Sequence, residues 1–224
     1  MVSTRRLVDS REEQELLEEL IEGSKPPFPD STGVSGLHYL LSTPFRYPPL
    51  RHGSRFGTRA EPSLWYGSAR HRTAFAETAY YRLVFLEGTT ADLGPVRADF
   101  SIFDVRLRTR RGVDLSRAPF ERHRASIASP SRYGETQSLG AEMRDAGVEC
   151  FRYPSARDRR GGVNLAAFTP RVFASSTPGT PETWHSVAER ESVELIKKDL
   201  FDARSIRFPR GDFEVDGDLP APAT

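Results

Sequence analysis

The segment from residue 64 to residue 85 most constrains the fold, because it holds a strand, a tight turn and a long helix in succession. Leu64-Trp65-Tyr66 is a short apolar run typical of a buried strand, and Gly67-Ser68 predicts a turn. Residues 70–85 contain neither glycine nor proline and are rich in alanine, which predicts a helix that ends near Gly88. We therefore expect a strand that leads directly into a helix.

Cationic, aromatic and acidic side chains are concentrated around this strand and helix. Arg46, Tyr47 and Arg55 precede the strand, Tyr66 ends its apolar run, and Glu77 lies inside the helix. Arginine forms bidentate hydrogen bonds with phosphate, and tyrosine offers a stacking face with a hydroxyl group. The combination indicates a site for an anionic substrate that carries rings, such as a dinucleotide.

The same residues form an ordered series of motifs. They are Arg46-Tyr47, Gly53-Ser54-Arg55-Phe56, Tyr66, Thr73-Ala74-Phe75-Ala76-Glu77, Tyr153-Pro154-Ser155 and Val163-Asn164-Leu165. In order and spacing this series resembles the RES domain, a family named for its arginine, glutamate and serine that occurs in bacterial toxin–antitoxin pairs. The resemblance covers residues 37–208. It departs from the family pattern at Ser54, where a second glycine is usual, and at Phe56-Gly57, where Trp-Asn is usual.

The resemblance implies an α+β fold similar to ADP-ribosyltransferases, with a mixed sheet flanked by helices in a single domain. We expect an N-terminal helix and proline-rich loop over residues 1–36, the RES catalytic domain over 37–210, and a flexible tail over 211–224. At 224 residues, one domain with one sizeable core is the expected organisation.

The resemblance also implies an activity, the degradation of NAD by cleavage of the bond between nicotinamide and ribose. The acceptor would be phosphate, as a co-substrate, or water, and NAD would be a substrate rather than a cofactor. The implied catalytic residues are Glu77, Arg55, Arg46 and Ser155, and the implied substrate-binding residues are Tyr47, Tyr66 and Asn164. Arg157, in the arginine-rich loop after Ser155, is a further substrate-binding candidate that would contact the diphosphate, and the alternative is a flexible solvated loop. No metal is expected.

The expected partner is an Xre-type antitoxin that covers the active site, as in the family. One alternative is an ADP-ribosyltransferase that modifies a protein with the same residues. A second is a non-catalytic module that binds nucleic acid through its arginines. The net charge of +1, from 32 basic and 31 acidic residues, argues against direct binding of nucleic acid.

Other sequence features exclude several classes of protein. No apolar run approaches the roughly 18 residues that span a membrane, and the first residues lead into an acidic segment rather than a signal sequence, so we expect a cytoplasmic protein. The single cysteine, Cys150, cannot form an intramolecular disulfide and is expected to be a small buried side chain. The chain lacks a Gly-x-Gly-x-x-Gly motif, which argues against NAD as a hydride carrier.

The remaining secondary structure follows from periodicity, capping and turn residues. Ser10 and Glu13 form a capping box for a helix whose stripe of Leu16, Leu17, Leu20 and Ile21 should pack on the domain, or alternatively bind a partner. Prolines should place Arg46 and Tyr47 in a stiff loop. A further helix is expected at 136–146. Strands are expected at 37–42, 103–107, 148–153, 164–168, 171–173, 184–189, 192–198 and 203–208, and the alternative to the pair at 184–189 and 192–198 is one helix over 184–200.

Overall fold

Helix α3 (His71–Glu87) packs against strands of two separate four-stranded sheets and thereby joins them. The structure is a computed structural model that describes residues 10–27, 33–199 and 202–221. Its helices are α1 (Arg11–Ser24), α2 (Tyr39–Arg46), α3, α4 (Arg124–Ile127) and α5 (Gly134–Asp145). Its strands are β1 (Trp65–Ser68), β2 (Val96–Ile102), β3 (Gly112–Asp114), β4 (Cys150–Pro154), β5 (Val163–Ala167), β6 (Glu182–Glu189), β7 (Ser192–Lys197) and β8 (Ser205–Pro209).

The two sheets differ in how their strands pair. The first has the order β1-β5-β4-β3, in which β3 and β4 are parallel and the other pairs are antiparallel. The second has the order β2-β6-β7-β8 and is antiparallel throughout. Helices flank mixed and antiparallel sheets, so the predicted α+β class is confirmed.

Two hydrophobic clusters show why α3 holds its central place. One face of α3 buries Phe75, Tyr80 and Leu83 against Trp184 and Phe208 of the second sheet. The other main cluster surrounds the first sheet and contains Phe56, Leu64, Leu115, Ile127, Met143, Phe151, Tyr153 and Ala166. Because α3 is anchored in the first cluster and borders β1 and β5, its polar residues lie between the sheets.

Most of the predicted elements are confirmed, but the turn predicted at Gly67-Ser68 is wrong, because both residues belong to β1. The Glu13 backbone N–H donates to Ser10 Oγ over 3.1 Å, as the capping box predicts. Helix α3 ends at Glu87 with Gly88 as its C-cap, and Gly147 after α5 has a φ of +73°, which favours glycine. The hairpin of β6 and β7 and the last strand β8 also form.

The predicted strand at 37–42 is wrong, because these residues begin helix α2. The Leu40 backbone N–H donates to His38 Nδ1 over 3.2 Å, which caps the helix. Leu41 and Phe45 are four residues apart, share one helix face, and are both buried. Arg46 is therefore the last residue of a helix rather than part of a loop, and Tyr47 is the residue that follows it.

Two further predicted strands are wrong. The alternating pattern at 96–102 forms β2, whereas residues 103–107 contribute only a single bridge, from Leu107 to Phe173. Pro170–Val172 is a short 3₁₀ helix in which Thr169 accepts the Arg171 backbone N–H. Proline at its first position lacks the N–H that a strand would need.

Both ends of the described chain also differ from the predictions. Leu16 and Leu20 of α1 are 57% and 63% exposed, so this stripe does not pack on the domain as expected. A flexible tail was predicted over 211–224, but Phe213 is buried in the core and Tyr80 donates a hydrogen bond to the Pro220 carbonyl. Residues 222–224 lie outside the described part.

Helix α5 is fitted closely against the loop that carries Arg55, and this contact generates a prediction. A Cβ at Gly140 would lie 2.2 Å from the Phe56 carbonyl oxygen, whereas a Cβ at Gly134 of the same helix would have no atom within 4 Å. Gly140→Ala should lower the free energy of unfolding by about 1–3 kcal/mol, the usual cost of overpacking. Gly134→Ala should be neutral or slightly stabilising. Urea unfolding of both variants checks this, and equal stabilities would contradict it.

Candidate functional site

A cavity of about 700 Å³ opens where β1, α3 and the first sheet meet. Its volume lies within the range of small-molecule sites. Its wall is formed by Leu50, His52, Gly53, Ser54, Arg55, Tyr66, Gly67, Ser68, Ala74, Glu77, Thr78, Tyr81, Tyr133, Tyr153, Asn164 and Ala221. Four of the predicted site residues, Arg55, Tyr66, Glu77 and Asn164, are therefore on one wall. Glu77 is the sole carboxylate among these lining residues.

The Glu77 carboxylate is held by two side chains from the first sheet. Ser155 Oγ donates to Glu77 Oε1 over 2.7 Å, and Asn164 Nδ2 donates to the same oxygen over 2.6 Å. Oε2 has no hydrogen-bond partner among the residues that the structure describes. One carboxylate oxygen thus fixes the side chain while the other is available to a ligand.

The orientation of both donors is set by hydrogen bonds from the backbone and from β1. Ser155 directly follows β4, and its Oγ accepts the backbone N–H groups of Arg157 and Asp158, each over 3.1 Å. Ser155 therefore directs its own proton to Glu77. Asn164 Oδ1 accepts from Ser68 Oγ over 2.7 Å, which orients the amide with its NH₂ toward Glu77.

Tyr66 connects the strand to the loop that carries Arg55. Its hydroxyl is 2.8 Å from Ser54 Oγ and accepts the Phe56 backbone N–H over 3.2 Å. Burial raises the pKa of Tyr66 above its ordinary value, although the hydrogen bond with Ser54 acts in the opposite direction. Burial also raises the pKa of Tyr153 well above its ordinary value. A raised pKa keeps these two tyrosines protonated and neutral at physiological pH.

Arg55 lies on the cavity wall with one nitrogen already engaged. Its Nη1 donates to the carbonyls of Ser129 over 2.7 Å and Ile127 over 3.3 Å. The guanidinium carbon is 4.5 Å from the centre of the Tyr133 ring, which is close enough for a cation–π contact. These contacts fix the position of a cation beside the cavity.

Arg157 was predicted to bind substrate, but the structure buries it behind the cavity wall. It is 4% exposed, donates from Nη2 to the Pro130 carbonyl over 2.6 Å, and lies 3.4 Å from the centre of the Tyr80 ring. The neighbouring Asp158 accepts from Thr73 Oγ1 over 2.8 Å. The contacts of Arg157 and Asp158 thus fix the backbone that holds Ser155 in position.

Arg46 and Tyr47 lie outside the cavity wall, contrary to the expected grouping. Arg46 Nε donates to the Pro26 carbonyl over 2.7 Å, which ties the end of α2 to the N-terminal segment. The Tyr47 carbonyl accepts from Ser63 Oγ over 2.9 Å. Ser155 is not among the residues that line the cavity, and it acts on the site through its hydrogen bond to Glu77.

Sequence reasoning missed several residues of the wall, chiefly Tyr81, Tyr133, Tyr153 and Ser68. Tyr81 is four residues after Glu77 on α3, so helical spacing could have indicated it. Tyr133 precedes α5 and Tyr153 lies on β4, and no local pattern connects either residue with Glu77.

The described residues contain no group of three or more His, Cys, Asp or Glu side chains that could hold a metal ion. Within the same ranges, no helix is both long and apolar enough to cross a membrane.

Comparison with protein families identifies one domain in the chain. A sequence model of the RES domain matches residues 32–187, well over half of the chain, and the matched range includes Glu77, Ser155 and Asn164. No curated protein matches the chain.

The support behind Ser155 generates a stability prediction. Thr73 is fully buried, and its hydroxyl donates to Asp158, which is 7% exposed. Thr73→Val keeps the shape but removes this donor, so the free energy of unfolding should fall by about 1–3 kcal/mol. Thr78→Val is the control, because that hydroxyl bonds only the carbonyl of Ala74 in its own helix and should cost less. Chemical unfolding compares the two, and an equal loss would refute the role given to the buried pair.

Proposed function

The chain belongs to the RES domain family, which is known from toxin–antitoxin systems, and we propose that it is a toxin enzyme that degrades NAD. It cleaves the bond between nicotinamide and ribose and transfers the ADP-ribosyl group to phosphate or to water. NAD is the substrate, phosphate is the co-substrate of the phosphorylase reaction, and no metal takes part.

The observation that carries the proposal is the position of Glu77. It is the one carboxylate among the described residues that line a large aromatic cavity. Cleavage of a glycosidic bond passes through a transition state with positive charge spread over the sugar ring. A fixed anion beside that ring stabilises the charge without reorganisation. Glu77 meets this requirement, since Oε1 is held by two donors and Oε2 is available to a ribose hydroxyl.

The reaction balances with groups that NAD and the acceptor supply. The bond between ribose C1 and the nicotinamide nitrogen breaks, and its electron pair leaves with nicotinamide, which becomes neutral. An oxygen of phosphate or water then bonds to the same carbon. A water acceptor gives up a proton and yields ADP-ribose, and a phosphate acceptor yields its 1-phosphate ester.

The other residues divide between contact with substrate and support. Arg55 lies beside the cavity and is assigned to the diphosphate or to the phosphate acceptor. Tyr66, with Tyr81, Tyr133 and Tyr153, provides neutral stacking faces for the nicotinamide ring. Asn164 and Ser155 position Glu77.

Arg46, Tyr47 and Arg157 were expected to contact the substrate. They are assigned instead to the framework around the site, because they lie off the cavity wall and Arg46 and Arg157 donate to backbone carbonyls.

Replacement of the carboxylate tests the proposal directly. Glu77→Gln retains the shape and a hydrogen-bond acceptor but loses the charge, so turnover of NAD should fall about 10²-fold or more. Glu142→Gln, on the exposed surface of α5, is the matched control and should keep the parent rate. The assay follows NAD, nicotinamide, ADP-ribose and its 1-phosphate, with and without phosphate in the buffer.

Three outcomes of this assay would change the conclusion. If the parent protein leaves NAD intact, the proposed activity is wrong. If nicotinamide is released while the ADP-ribosyl group becomes attached to protein, the enzyme is an ADP-ribosyltransferase. If Glu77→Gln cleaves NAD at the parent rate, the role given to Glu77 is wrong.

We also propose an Xre-type antitoxin as partner, in keeping with the family. The mouth of the cavity carries exposed apolar side chains, with Leu50 78% and Tyr81 52% exposed, and a partner can cover them. Expression of the chain alone should stop bacterial growth, and co-expression of the Xre-type protein should restore growth. The Glu77→Gln variant should be harmless without the partner. Growth arrest by Glu77→Gln equal to that of the parent would contradict toxicity through loss of NAD.

A further inference from the structure

A second cavity of about 550 Å³ adjoins the first along β1. The two cavities share Tyr66, Gly67, Ser68 and Ala74, so they meet along β1 and the start of α3. The second cavity is also lined by Trp65, Ala69, Arg70, His71, Ser101, Ile102, Phe103, Asp104, Val105, Leu107, Arg152 and Leu165. None of the predicted site residues except Tyr66 belongs to it.

The charged groups of this cavity favour an anion. Arg70 is exposed, and its guanidinium has no hydrogen-bond or ion-pair partner within the described ranges. Arg152 is half-exposed and lies 3.5 Å from Asp114, outside the cavity. The one carboxylate of the wall, Asp104, is 3.1 Å from Nε2 of His71. Because Arg152 shares its charge with Asp114, Arg70 is the cation of this wall that is available to an anion, with Arg152 as a second, partly compensated one.

The apolar side chains of the second cavity are suited to contact with a flat ring. Trp65 is buried with its indole packed against Gly67, where a Cβ would lie 2.2 Å from the ring. Phe103 and Leu165 are partly buried on the same cavity. A cavity that combines apolar side chains with a few cationic groups matches a nucleotide, whose base is apolar on its faces and whose phosphate is anionic.

The edge of β1 connects the two cavities through polar backbone groups. β1 is the outer strand of its sheet, and the Ala69 N–H bonds the Val163 carbonyl over 2.9 Å. Because backbone groups alternate along an antiparallel strand, those of Tyr66 and Ser68 point away from β5. They offer donors and acceptors at the junction between the cavities.

Arg55 is the one arginine among the described residues that line the first cavity, and its Nη1 already donates to two carbonyls. Arg46 lies off the wall and Arg157 is buried. A diphosphate carries two negative charges, so cations of the adjoining cavity would add to the attraction that Arg55 supplies.

We propose that NAD spans both cavities and that the second cavity binds its adenylate half, with Arg70 and Arg152 on phosphate. The scissile ribose then lies at Glu77 in the first cavity, and the diphosphate crosses the edge of β1. This inference rests on the proposed function, and it assigns specificity for the dinucleotide to residues outside the RES motifs of the chain.

Comparison of two substrates tests the inference. Nicotinamide mononucleotide contains the same scissile bond as NAD but lacks the adenylate half. Arg70→Ala should raise the KM for NAD about tenfold, the effect of one lost charge-assisted hydrogen bond, while kcat/KM for the mononucleotide stays within about twofold. Arg97→Ala is the matched control, since Arg97 is an exposed arginine of β2 that lines neither cavity.

A binding measurement keeps this test independent of catalysis. ADP should bind the parent and the Glu77→Gln variant alike, and Arg70→Ala should weaken its binding about tenfold. The inference would be overturned if Arg70→Ala and Arg97→Ala changed the KM for NAD and the affinity for ADP equally. It would also be overturned if Arg70→Ala raised only the KM for phosphate. Neither result would contradict the cleavage of NAD. If ADP binding depends on Arg70 but the protein does not cleave NAD, the proposed function is wrong and the nucleotide site in the second cavity is supported.

Discussion

The hydrogen bonds from Ser155 and Asn164 to Glu77 are the interaction on which the arrangement of the site depends. A half-buried carboxylate on a helix is stabilised by donors, and here one donor directly follows β4 and the other lies on the adjacent strand β5. Each donor is oriented by a further group, the backbone after Ser155 and the hydroxyl of Ser68. The charge is thereby fixed in place before a ligand arrives, which is the condition for electrostatic catalysis.

The position of α3 explains how such a network can form. Its apolar face is fixed against the second sheet, so the polar residues on its other side face the first sheet at a constant distance. The loop around Arg55 is fixed in the same region by Tyr66, whose hydroxyl contacts Ser54 and Phe56. Packing between the sheets, rather than a flexible loop, therefore sets the geometry of the cavity.

Arginine has two distinct uses in this protein. Arg157 donates to the Pro130 carbonyl and stacks on Tyr80, and Arg190 donates to carbonyls at the end of α3, so both act as structural braces. Arg55 also donates from Nη1 to a backbone carbonyl, that of Ser129, but it lines the cavity. Arg70 has no such partner in the described chain and is the better placed to bind an anion. Residue type alone does not distinguish these uses, because a guanidinium has five donors that suit carbonyls and phosphates equally.

The sequence by itself determined the strand and helix around Glu77 and favoured the hairpin of β6 and β7 over a helix, and the resemblance to the RES family indicated the carboxylate together with Ser155 and Asn164. These follow from local periodicity, from turn residues and from motif order. It gave the wrong structure for 37–42, where the burial of Leu41 and Phe45 on one face favours a helix. Only the tertiary structure decided that Arg46 and Arg157 serve the framework, that Tyr133 and Tyr153 join the wall, and that a second cavity adjoins the first. The physical reason is that these facts depend on contacts between residues far apart in the chain, which local sequence patterns do not encode.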